Sequence, residues 1–308
     1  MMQKPIAGLL DAMATQALPC IHNEPLDRHT TFRIGGPAEV FCKPRTVAEL
    51  TAILELCRAN RVRTYLLGNG SNTLFADEGF DGAVICLTDL KTHSTCEPLS
   101  DGSARLTAGA GTMLVSVCNR ALEQGLSGLE FAYGIPGTVG GAVYMNAGAY
   151  GGEMKDVLEQ VTFLDENLRL RTLAASELEL GYRTSIFERQ PWCILEAQFL
   201  LHLGDRTQIN AQMQDYMARR RDKQPLDLPS AGSTFKRPAG CFAGQLIEEC
   251  GLRGFSVGGA AVSRKHCGFV VNTGGATCAD VVELTDRVRA IVQEKTGHIL
   301  EREIRVVR

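Results

Sequence analysis

The sequence predicts a mixed fold of helices and strands divided into two or three domains. Three observations predict it: a length of 308 residues, helical and strand patterns that alternate along the chain, and glycine clusters that follow strands. A chain of this length exceeds what one compact core usually supports. Hydrophobic residues make up 44% and charged residues 22% of the sequence, which is the balance of an ordinary globular protein in water.

The bulk chemistry of the chain narrows the classes of function. The net charge is −3, so no broad basic face is expected to attract nucleic acid. No apolar stretch approaches the length of a membrane span, and no secretory signal pattern opens the chain. The 11 cysteines form no CxxC pair and no zinc-type spacing with histidine. We therefore expect free thiols, a reducing cytoplasm and no bound metal.

The first part of the chain has an α/β layout. Thr46 and Glu49 fit a capping box, and Leu50, Ile53 and Cys57 repeat at helical spacing behind them, which is typical of a helix beginning at this point. The elements predicted here are a helix over 46–59, strands over 64–67, 83–87 and 105–108, and a helix over 112–123.

The second part of the chain predicts strands that close a sheet, and then two helices. The predicted elements are strands over 161–165, 168–173 and 193–203, helices over 207–221 and 280–295, and a final strand over 303–307. Gly204 and Asp205 form a turn that favours a domain boundary. The first of these helices ends in Arg219-Arg220-Arg221, where the helix dipole favours positive charge; phosphate binding is the alternative.

Residues 125–152 are rich in glycine and almost free of charge. They hold nine glycines, and Glu130 is their one charged residue. Such a composition is also found in flexible linkers. However, apolar side chains such as Phe131, Val139 and Val143 lie between the glycines, and linkers seldom carry so much apolar bulk. The segment is therefore predicted to be ordered backbone wrapped around a ligand.

Two glycine loops are candidates for phosphate binding. Gly68-Asn69-Gly70-Ser71-Asn72 follows a predicted strand, and Gly134-Ile135-Pro136-Gly137-Thr138-Val139-Gly140-Gly141 lies in the glycine-rich segment. Backbone N–H groups in such loops form nests for phosphate oxygens. Neither loop matches the Walker A or the Rossmann pattern, so each taken singly is also compatible with a plain turn. Two such loops favour a dinucleotide with an extended pyrophosphate.

Three polar clusters are candidates for chemistry. Arg183 follows Tyr182, Ser233 lies in a turn of small residues three positions before Lys236, and Glu303 belongs to the predicted last strand, on one face with Glu301. Singly, they are more typical of a surface arginine, a turn serine and a solvated glutamate. If they met in the fold, chemistry on a carboxylate could use all three, because arginine clamps a carboxylate, serine donates a proton and a carboxyl group polarises an enolate.

Five motifs in one order carry a family resemblance. They are Gly-Asn-Gly-Ser-Asn at 68–72, the segment 134–151, Tyr-Arg-Thr-Ser at 182–185, Ala-Gly-Ser-Thr-Phe-Lys at 231–236 and Glu-Ile-Arg at 303–305. Over nearly the whole chain, from about Leu26 to Val307, the sequence resembles the UDP-N-acetylenolpyruvoylglucosamine reductase (MurB) family. It looks like the shorter, type II branch, which lacks an extra tyrosine-bearing loop.

The resemblance implies an α+β architecture that binds FAD. An FAD-binding domain of the vanillyl-alcohol oxidase (PCMH) type would comprise two subdomains, 1–88 and 89–203, and 204–308 would form a C-terminal α+β substrate-binding domain. The pyrophosphate of FAD would lie near the two glycine loops. The cofactor-binding residues implied in this way are Gly68, Asn69, Gly70, Ser71, Asn72, Gly134, Ile135, Pro136, Gly137, Thr138, Gly140, Gly141, Asn146 and Gly148.

The resemblance also implies a reaction in peptidoglycan precursor synthesis. NADPH would pass a hydride to FAD and leave, and UDP-N-acetylglucosamine enolpyruvate would then be reduced in the same site to UDP-N-acetylmuramate. The family's catalytic arginine, glutamate and serine match Arg183 and Glu303, which would stabilise the enolate, and Ser233, which would protonate it. Tyr182 and Lys236 match substrate-binding positions. A cytoplasmic monomer without nucleic-acid or membrane partners is expected.

The sequence departs from the family pattern at two positions, and it leaves two alternative functions open. Arg237 and Gly268 stand where the family commonly has asparagine, so no substrate contact is carried over to either. One alternative is an oxygen-using FAD oxidase of the same fold, which often tethers flavin through histidine or cysteine; neither glycine loop contains histidine. The other is a non-catalytic nucleotide-sugar binder, which would not need all three catalytic candidates.

Overall fold

The computed structural model describes residues 4–92 and 94–308. The helices of this described part are α1 Lys4–Thr15, α2 Val47–Ala59, α3 Leu114–Glu123, α4 Val139–Tyr144, α5 Arg206–Lys223, α6 Ala243–Glu249 and α7 Cys278–Thr296. Its strands are β1 Cys20–Pro25, β2 Pro37–Cys42, β3 Thr64–Leu67, β4 Thr73–Phe75, β5 Phe80–Cys86, β6 Cys96–Pro98, β7 Ser103–Gly109, β8 Leu126–Ser127, β9 Gly148–Ala149, β10 Gly152–Glu153, β11 Leu158–Leu164, β12 Leu170–Ala174, β13 Cys193–Leu203, β14 Ser230–Ser233, β15 Ser256–Val257, β16 Ala260–Val262, β17 Phe269–Asn272 and β18 Arg305–Val307.

The chain divides into two compact units, each assembled from separate segments. Unit 1 contains the described residues up to Ile21, together with Val40–Asn69 and Ala83–Arg220. Unit 2 contains His22–Glu39, Gly70–Gly82 and Arg221–Arg308. The three-part division with boundaries after residues 88 and 203 stays a prediction.

Unit 1 has two apolar cores. One is built around α1, α2 and the parallel pair β3–β5, with Leu9, Ile53 and Ile85 fully buried. The other lies on the sheet β12-β11-β13-β7-β6, where Phe199 of β13 and Leu106 of β7 are fully buried. β13 occupies the middle of this sheet, and along it buried positions alternate with half-buried ones, which fits the partial alternation seen in the sequence.

Unit 2 has one apolar core between helices and a small sheet. Its strands run in the order β14-β17-β16-β15, and β18 pairs in parallel with β4. Val281, Leu284 and Val288 form the buried row of α7. Phe32 and Leu74 join the same core although they lie about two hundred residues earlier in the chain.

The predicted helices form where the sequence patterns indicated. Thr46 caps α2, because its Oγ1 accepts a hydrogen bond from Glu49 N at 3.1 Å. The Glu49 carboxylate accepts from the backbone N–H of Arg45 at 2.7 Å, one residue before the capping-box position. The mixture of helix and sheet predicted from the sequence is therefore confirmed. Among the described residues, none of the helices has the length and apolar character needed to cross a membrane.

The end of the chain differs from the prediction. The final strand begins at Arg305 rather than at residue 303, so Glu301 and Glu303 lie before it, on either side of Arg302, which forms an isolated antiparallel bridge with Phe235. The reason is a different set of partners: Glu303 N donates to Thr234 O at 2.9 Å and Lys236 N donates to Glu301 O at 2.8 Å. These bonds draw the segment before β18 toward the end of β14.

Candidate cofactor and active site

The first glycine loop is anchored to the second within unit 1. β3 ends at Leu67, and Asn69 then donates a hydrogen bond from Nδ2 to Pro136 O at 2.9 Å. Gly68 packs against the Thr138 hydroxyl so closely that a Cβ there would collide with it. The two candidate loops therefore do come together at Gly68 and Asn69.

The rest of the first loop belongs to unit 2 and serves packing there. Gly70 has a φ of +63°, and a Cβ on it would collide with the His29 carbonyl oxygen. Ser71 is half-buried. Asn72 donates from Nδ2 to Glu303 O at 3.2 Å, and its own carbonyl accepts from Arg305 N at 3.0 Å. Asn72 thus braces the backbone of a catalytic candidate, which the motif alone did not indicate.

The second glycine loop is fixed by backbone hydrogen bonds along its length. Leu114 N donates to Gly137 O, Val139 N donates to Thr112 O and Gly140 N donates to Ala110 O, at 2.8 to 2.9 Å. Gly134, Ile135 and Pro136 precede this anchored stretch, and Gly134 has a φ of +92°. The segment predicted to be ordered is therefore ordered, although the short helix α4 inside it was not predicted.

Two adjacent glycines of α4 face different surroundings. A Cβ on Gly140 would lie 2.9 Å from the Cβ of Ala110, so this glycine is required by packing. A Cβ on Gly141 would meet only the Thr138 hydroxyl, at 3.6 Å, and Gly141 is exposed. Gly141 therefore leaves open a cradle that a side chain would fill. Backbone left accessible in this way fits close approach by the pyrophosphate of a dinucleotide.

Asn146 lies fully buried beside the segment that carries Arg183. Its Nδ2 donates to the Glu153 carboxylate at 2.7 Å and to Gly181 O at 2.9 Å, and its Oδ1 accepts from Lys155 N at 2.9 Å. Gly148, also predicted at the cofactor, accepts at its carbonyl from Arg183 Nη2 at 3.3 Å. Asn146 and Gly148 are thus brought together with the arginine segment in unit 1.

Arg183 is held in a conformation that ordinary residues seldom adopt. Its φ is +57°, and such a backbone costs about 1–3 kcal/mol and is concentrated at functional sites. Its guanidinium lies 5.2 Å from the ring centre of Tyr182, which is 51% exposed. A strained backbone and an exposed aromatic ring therefore occur beside the same arginine. This combination favours a ligand site over a simple surface arginine.

Ser233 stands at the end of a bulged strand in unit 2. β14 pairs with β17 through Ser230 opposite Val271 and Ser233 opposite Phe269, with a register shift between the two. Gly232 supplies the shift with a φ of +75°. Bulges re-aim side chains next to active sites, and Ser233 is exposed here.

The serine and glutamate candidates converge within unit 2. Thr234 follows Ser233, and its carbonyl accepts the hydrogen bond from Glu303 N at 2.9 Å. Lys236, predicted to bind substrate, forms an ion pair with Glu301, with Nζ and Oε1 2.6 Å apart. Ser233, Lys236 and Glu303 therefore belong to one local arrangement, while Arg183 belongs to unit 1.

A group of aromatic and basic side chains was missed in the sequence. Tyr150 and Tyr216 stack with ring centres 4.4 Å apart, and the Arg220 guanidinium lies 6.0 Å from the Tyr150 ring centre. Burial lowers the pKa of Arg220 from its ordinary value. Arg220 lies in the last turn of α5, so the helix-dipole interpretation stays a prediction, and its aromatic neighbour is an additional environment. Helical spacing of Tyr216 and Arg220 was the available signal, but nothing in the sequence linked them to Tyr150.

Comparison with known proteins agrees with this geometry. The profile of the UDP-N-acetylenolpyruvoylglucosamine reductase C-terminal domain matches residues 224–307, and that of an FAD binding domain matches residues 38–173. The reductase of Lachnoclostridium phytofermentans is 45% identical over 97% of this chain and 96% of its own length. That of Caldanaerobacter subterraneus subsp. tengcongensis is 46% identical over 92% of each chain.

A solved structure of a member of this family has a similar fold. The crystal structure of UDP-N-acetylenolpyruvylglucosamine reductase (MurB) from Thermus caldophilus has a TM-score of 0.77 and 35% sequence identity to this chain. It covers 94% of this chain and 99% of its own. Both the predicted α+β class and the predicted FAD-binding domain are confirmed. This chain belongs to the UDP-N-acetylenolpyruvoylglucosamine reductase family.

Proposed function

We propose that this protein reduces UDP-N-acetylglucosamine enolpyruvate to UDP-N-acetylmuramate with NADPH, at a site that uses Arg183, Ser233 and Glu303. The observation that carries the assignment of roles is the hydrogen bond from Glu303 N to Thr234 O at 2.9 Å. It brings the glutamate to the residue that follows the serine. A site for conjugate reduction needs an acid beside a group that stabilises the enolate, and this arrangement supplies both.

The FAD-binding residues fit the cofactor through the two anchored loops. Gly68, Asn69 and the 134–141 loop are cross-braced, and Gly141 leaves its α-carbon open. FAD, when bound there, supplies hydride transfer from NADPH to the terminal vinyl carbon of the substrate. The protein supplies position, charge and a proton.

Arg183 is proposed to hold the substrate carboxylate. Its planar guanidinium matches a carboxylate with two parallel hydrogen bonds, and negative charge grows on that carboxylate as hydride adds. Gly148 O and the Tyr182 ring already restrain the arginine, so little reorganisation is required during reaction. Tyr182 and Lys236 are proposed to contact the substrate beside it.

Ser233 is proposed to deliver the proton to the carbon next to the one that receives hydride. A serine hydroxyl is a weak acid in water, so this role requires a strongly basic acceptor, which the enolate is. Glu303 is proposed to stabilise the enolate during the transfer. The backbone beside each is anchored, because Thr234 N donates to Gly268 O and Glu303 N donates to Thr234 O. This anchoring supports their alignment before substrate arrives.

The direct test is the loss of NADPH absorbance by purified protein supplied with FAD, with and without the enolpyruvyl nucleotide. Oxidation that depends on this compound is expected. NADPH oxidation that ignores it and consumes oxygen instead would contradict the reductase and favour an oxidase of the same fold. Flavin that binds without any oxidation would favour a nucleotide-sugar binder.

The residue roles are tested separately by substitution. We expect Ser233→Ala to lower turnover about 10²- to 10⁴-fold, the range that a general acid contributes. Glu303→Gln and Arg183→Ala should each lose at least about 10²-fold. All three should retain the yellow colour of bound flavin, because none is proposed to hold FAD. Full turnover in the Ser233→Ala protein would remove the serine from the mechanism.

Further features are proposed with this function. The hydride donor is NADPH, the pathway is peptidoglycan precursor synthesis, and the protein is a cytoplasmic monomer. The FAD-binding subdomains 1–88 and 89–203 and the substrate domain 204–308 are proposed as the functional division of the chain. Support comes from the match of an FAD-binding domain over 38–173 and a C-terminal domain over 224–307.

A further inference from the structure

Thr234 makes three hydrogen bonds that connect the two catalytic candidates of unit 2. Its backbone N–H donates to Gly268 O at 2.9 Å, its Oγ1 accepts from Val270 N at 2.8 Å, and its carbonyl accepts from Glu303 N at 2.9 Å. The residue is 1% exposed. The backbone N–H, the carbonyl and the hydroxyl of Thr234 therefore all bond to segments that bear on Ser233 or Glu303.

The first two bonds hold Ser233 against β17. The register of the β14–β17 ladder shifts at the Gly232 bulge, between Ser230 and Ser233, and pairing resumes at Ser233 opposite Phe269. Immediately after Ser233, the Thr234 N–H donates to Gly268 O, and the Thr234 hydroxyl accepts from Val270 N. The hydroxyl therefore adds a side-chain hydrogen bond to β17 directly beside Ser233, where the strand has just passed through the bulge.

The third bond holds Glu303. The segment before β18 is not a strand, and Glu303 is bonded on one side to Thr234 O and on the other to the Asn72 side chain. A shift of Thr234 toward or away from β17 therefore moves the anchor of Glu303 together with that of Ser233. Of the three bonds, the one from Val270 N to Thr234 Oγ1 uses the side chain and is therefore the one that a substitution can remove.

The turn that receives Thr234 is itself shaped by a histidine. His266 Nδ1 accepts a hydrogen bond from Gly268 N at 3.0 Å, and the carbonyl of the same Gly268 accepts from Thr234 N. Burial is the main cause that lowers the pKa of His266 from its ordinary value. The neutral ring is the form that can accept this bond, and the lowered pKa of His266 favours that form at neutral pH.

We propose that Thr234 is a positioning residue for the proton transfer, and that its hydroxyl sets the placement of Ser233 and Glu303 relative to the substrate. The proposal rests on the proposed function, because it presupposes Ser233 as the acid and Glu303 as the stabilising group. Thr234 acts through these two residues and is assigned no contact with the reacting atoms. Misplacement of about 1 Å costs on the order of 10²-fold in rate, so the effect of losing the hydroxyl is measurable.

The test separates the two half-reactions of the flavin-loaded enzyme by stopped-flow absorbance. We expect Thr234→Val, which keeps the shape but loses the acceptor, to slow reoxidation of the pre-reduced enzyme by the enolpyruvyl nucleotide about 10- to 100-fold. Reduction by NADPH should stay within about twofold of wild type, because it uses no proton from Ser233. Thr234→Ser, which keeps the hydroxyl, should restore reoxidation to within about threefold.

A matched control is Thr296→Val in the same unit. The Thr296 hydroxyl donates to Val292 O at 2.7 Å in the last turn of α7, so this variant loses a comparable hydrogen bond away from the site. It should leave both half-reactions unchanged. Equal slowing of both half-reactions by Thr234→Val, or a serine variant as slow as the valine variant, would overturn the positioning role.

The same experiment distinguishes failure of the proposed function from failure of the role of Thr234. If the wild-type pre-reduced enzyme is not reoxidised by the enolpyruvyl nucleotide, the proposed function fails. If wild type is reoxidised and Thr234→Val matches it, only the role of Thr234 fails. Should the valine variant not fold, Thr234→Cys serves instead, because its thiol fills the same place but is a weak acceptor, and the same slowing of reoxidation alone is expected.

Discussion

Individual glycines of the two loops have different functions, and this difference is testable. We expect Gly141→Ala to leave the stability of the FAD-free protein unchanged or raise it by up to about 1 kcal/mol, because its Cβ meets no atom closer than 3.6 Å and alanine favours a helix. FAD affinity should fall at least about tenfold, because the methyl group occupies the open cradle. Urea unfolding of the FAD-free protein and a titration of flavin fluorescence measure the two effects.

Gly140→Ala is the matched control for this substitution. Its Cβ would lie 2.9 Å from the Ala110 Cβ, so overpacking should lower the free energy of unfolding by about 1–3 kcal/mol. The two variants differ by one position in the same helix. Wild-type FAD affinity in the Gly141→Ala protein would remove this α-carbon from the cofactor site.

Asn146 is expected to be a structural residue of the site. Asn146→Ala removes three hydrogen bonds from a fully buried position with a φ of +41°, so we expect the free energy of unfolding to fall by about 2–4 kcal/mol. Asn23→Ala is the control, because Asn23 also has a positive φ, +55°, but is exposed. It should lose about 1 kcal/mol or less. Equal losses in urea unfolding would show that backbone strain alone is responsible.

At the residue level, the sequence indicated the two glycine loops but not which contact requires each glycine. Gly68, Gly70 and Gly140 are required by contacts with Thr138, His29 and Ala110. These partners lie 70, 41 and 30 positions away in the chain, so no local pattern reveals them. The same reason hid Thr234, whose partners Gly268, Val270 and Glu303 lie 34 to 69 positions away.

At the level of elements, long and periodic segments were predictable and short ones were not. The helix predicted over 280–295 is α7, which begins two residues earlier because Thr277 caps it and forms a capping box with Asp280. β14 to β17 contain two to four residues each, too few for an alternating pattern. α4 contains two glycines in six residues, so its helix depends on the Thr138 cap and on burial of Val139 and Val143.

The hairpin of β11 and β12 should give the fold a dependence on acid pH. Asp165 Oδ1 accepts hydrogen bonds from Asn167 N and Arg169 N at 2.8 and 2.9 Å, and Oδ2 accepts from Arg171 Nε at 3.1 Å. The Arg169 N–H is the main cause that holds the pKa of Asp165 below its ordinary value. Such a carboxyl stabilises the fold above its unfolded pKa of about 3.9, and this contribution is lost as pH falls through the folded pKa.

We therefore expect Asp165→Asn to lower the free energy of unfolding at neutral pH and to flatten its decline below about pH 4. Urea unfolding over the acid range measures both. Asp227→Asn, at an exposed position, should change neither the neutral value nor the slope. A slope in the Asp165→Asn protein as steep as in wild type would assign the acid sensitivity to other carboxyl groups.

At the level of the whole molecule, the sequence indicated composition and family but not how segments combine. Local patterns place boundaries between neighbouring elements, so they suggested consecutive domains. The structure instead assembles unit 2 from His22–Glu39, Gly70–Gly82 and Arg221–Arg308. Phe32 and Leu74 enter its core from the first two segments, and burial of side chains so far apart in the chain leaves no periodic signal.

This assembly predicts that residues 204–308 do not fold alone. The fragment would lack Phe32, Ile34 and Leu74 from its core and the β4 partner of β18. Each missing large side chain costs about 2–5 kcal/mol, and the sum reaches the whole stability of a typical domain, about 5–15 kcal/mol. We expect the fragment to show poor amide dispersion by NMR and no cooperative urea transition, whereas the full chain shows both. A cooperative transition in the fragment would mean that the C-terminal segment forms a sufficient core, and the boundary after residue 203 would then be a true folding boundary.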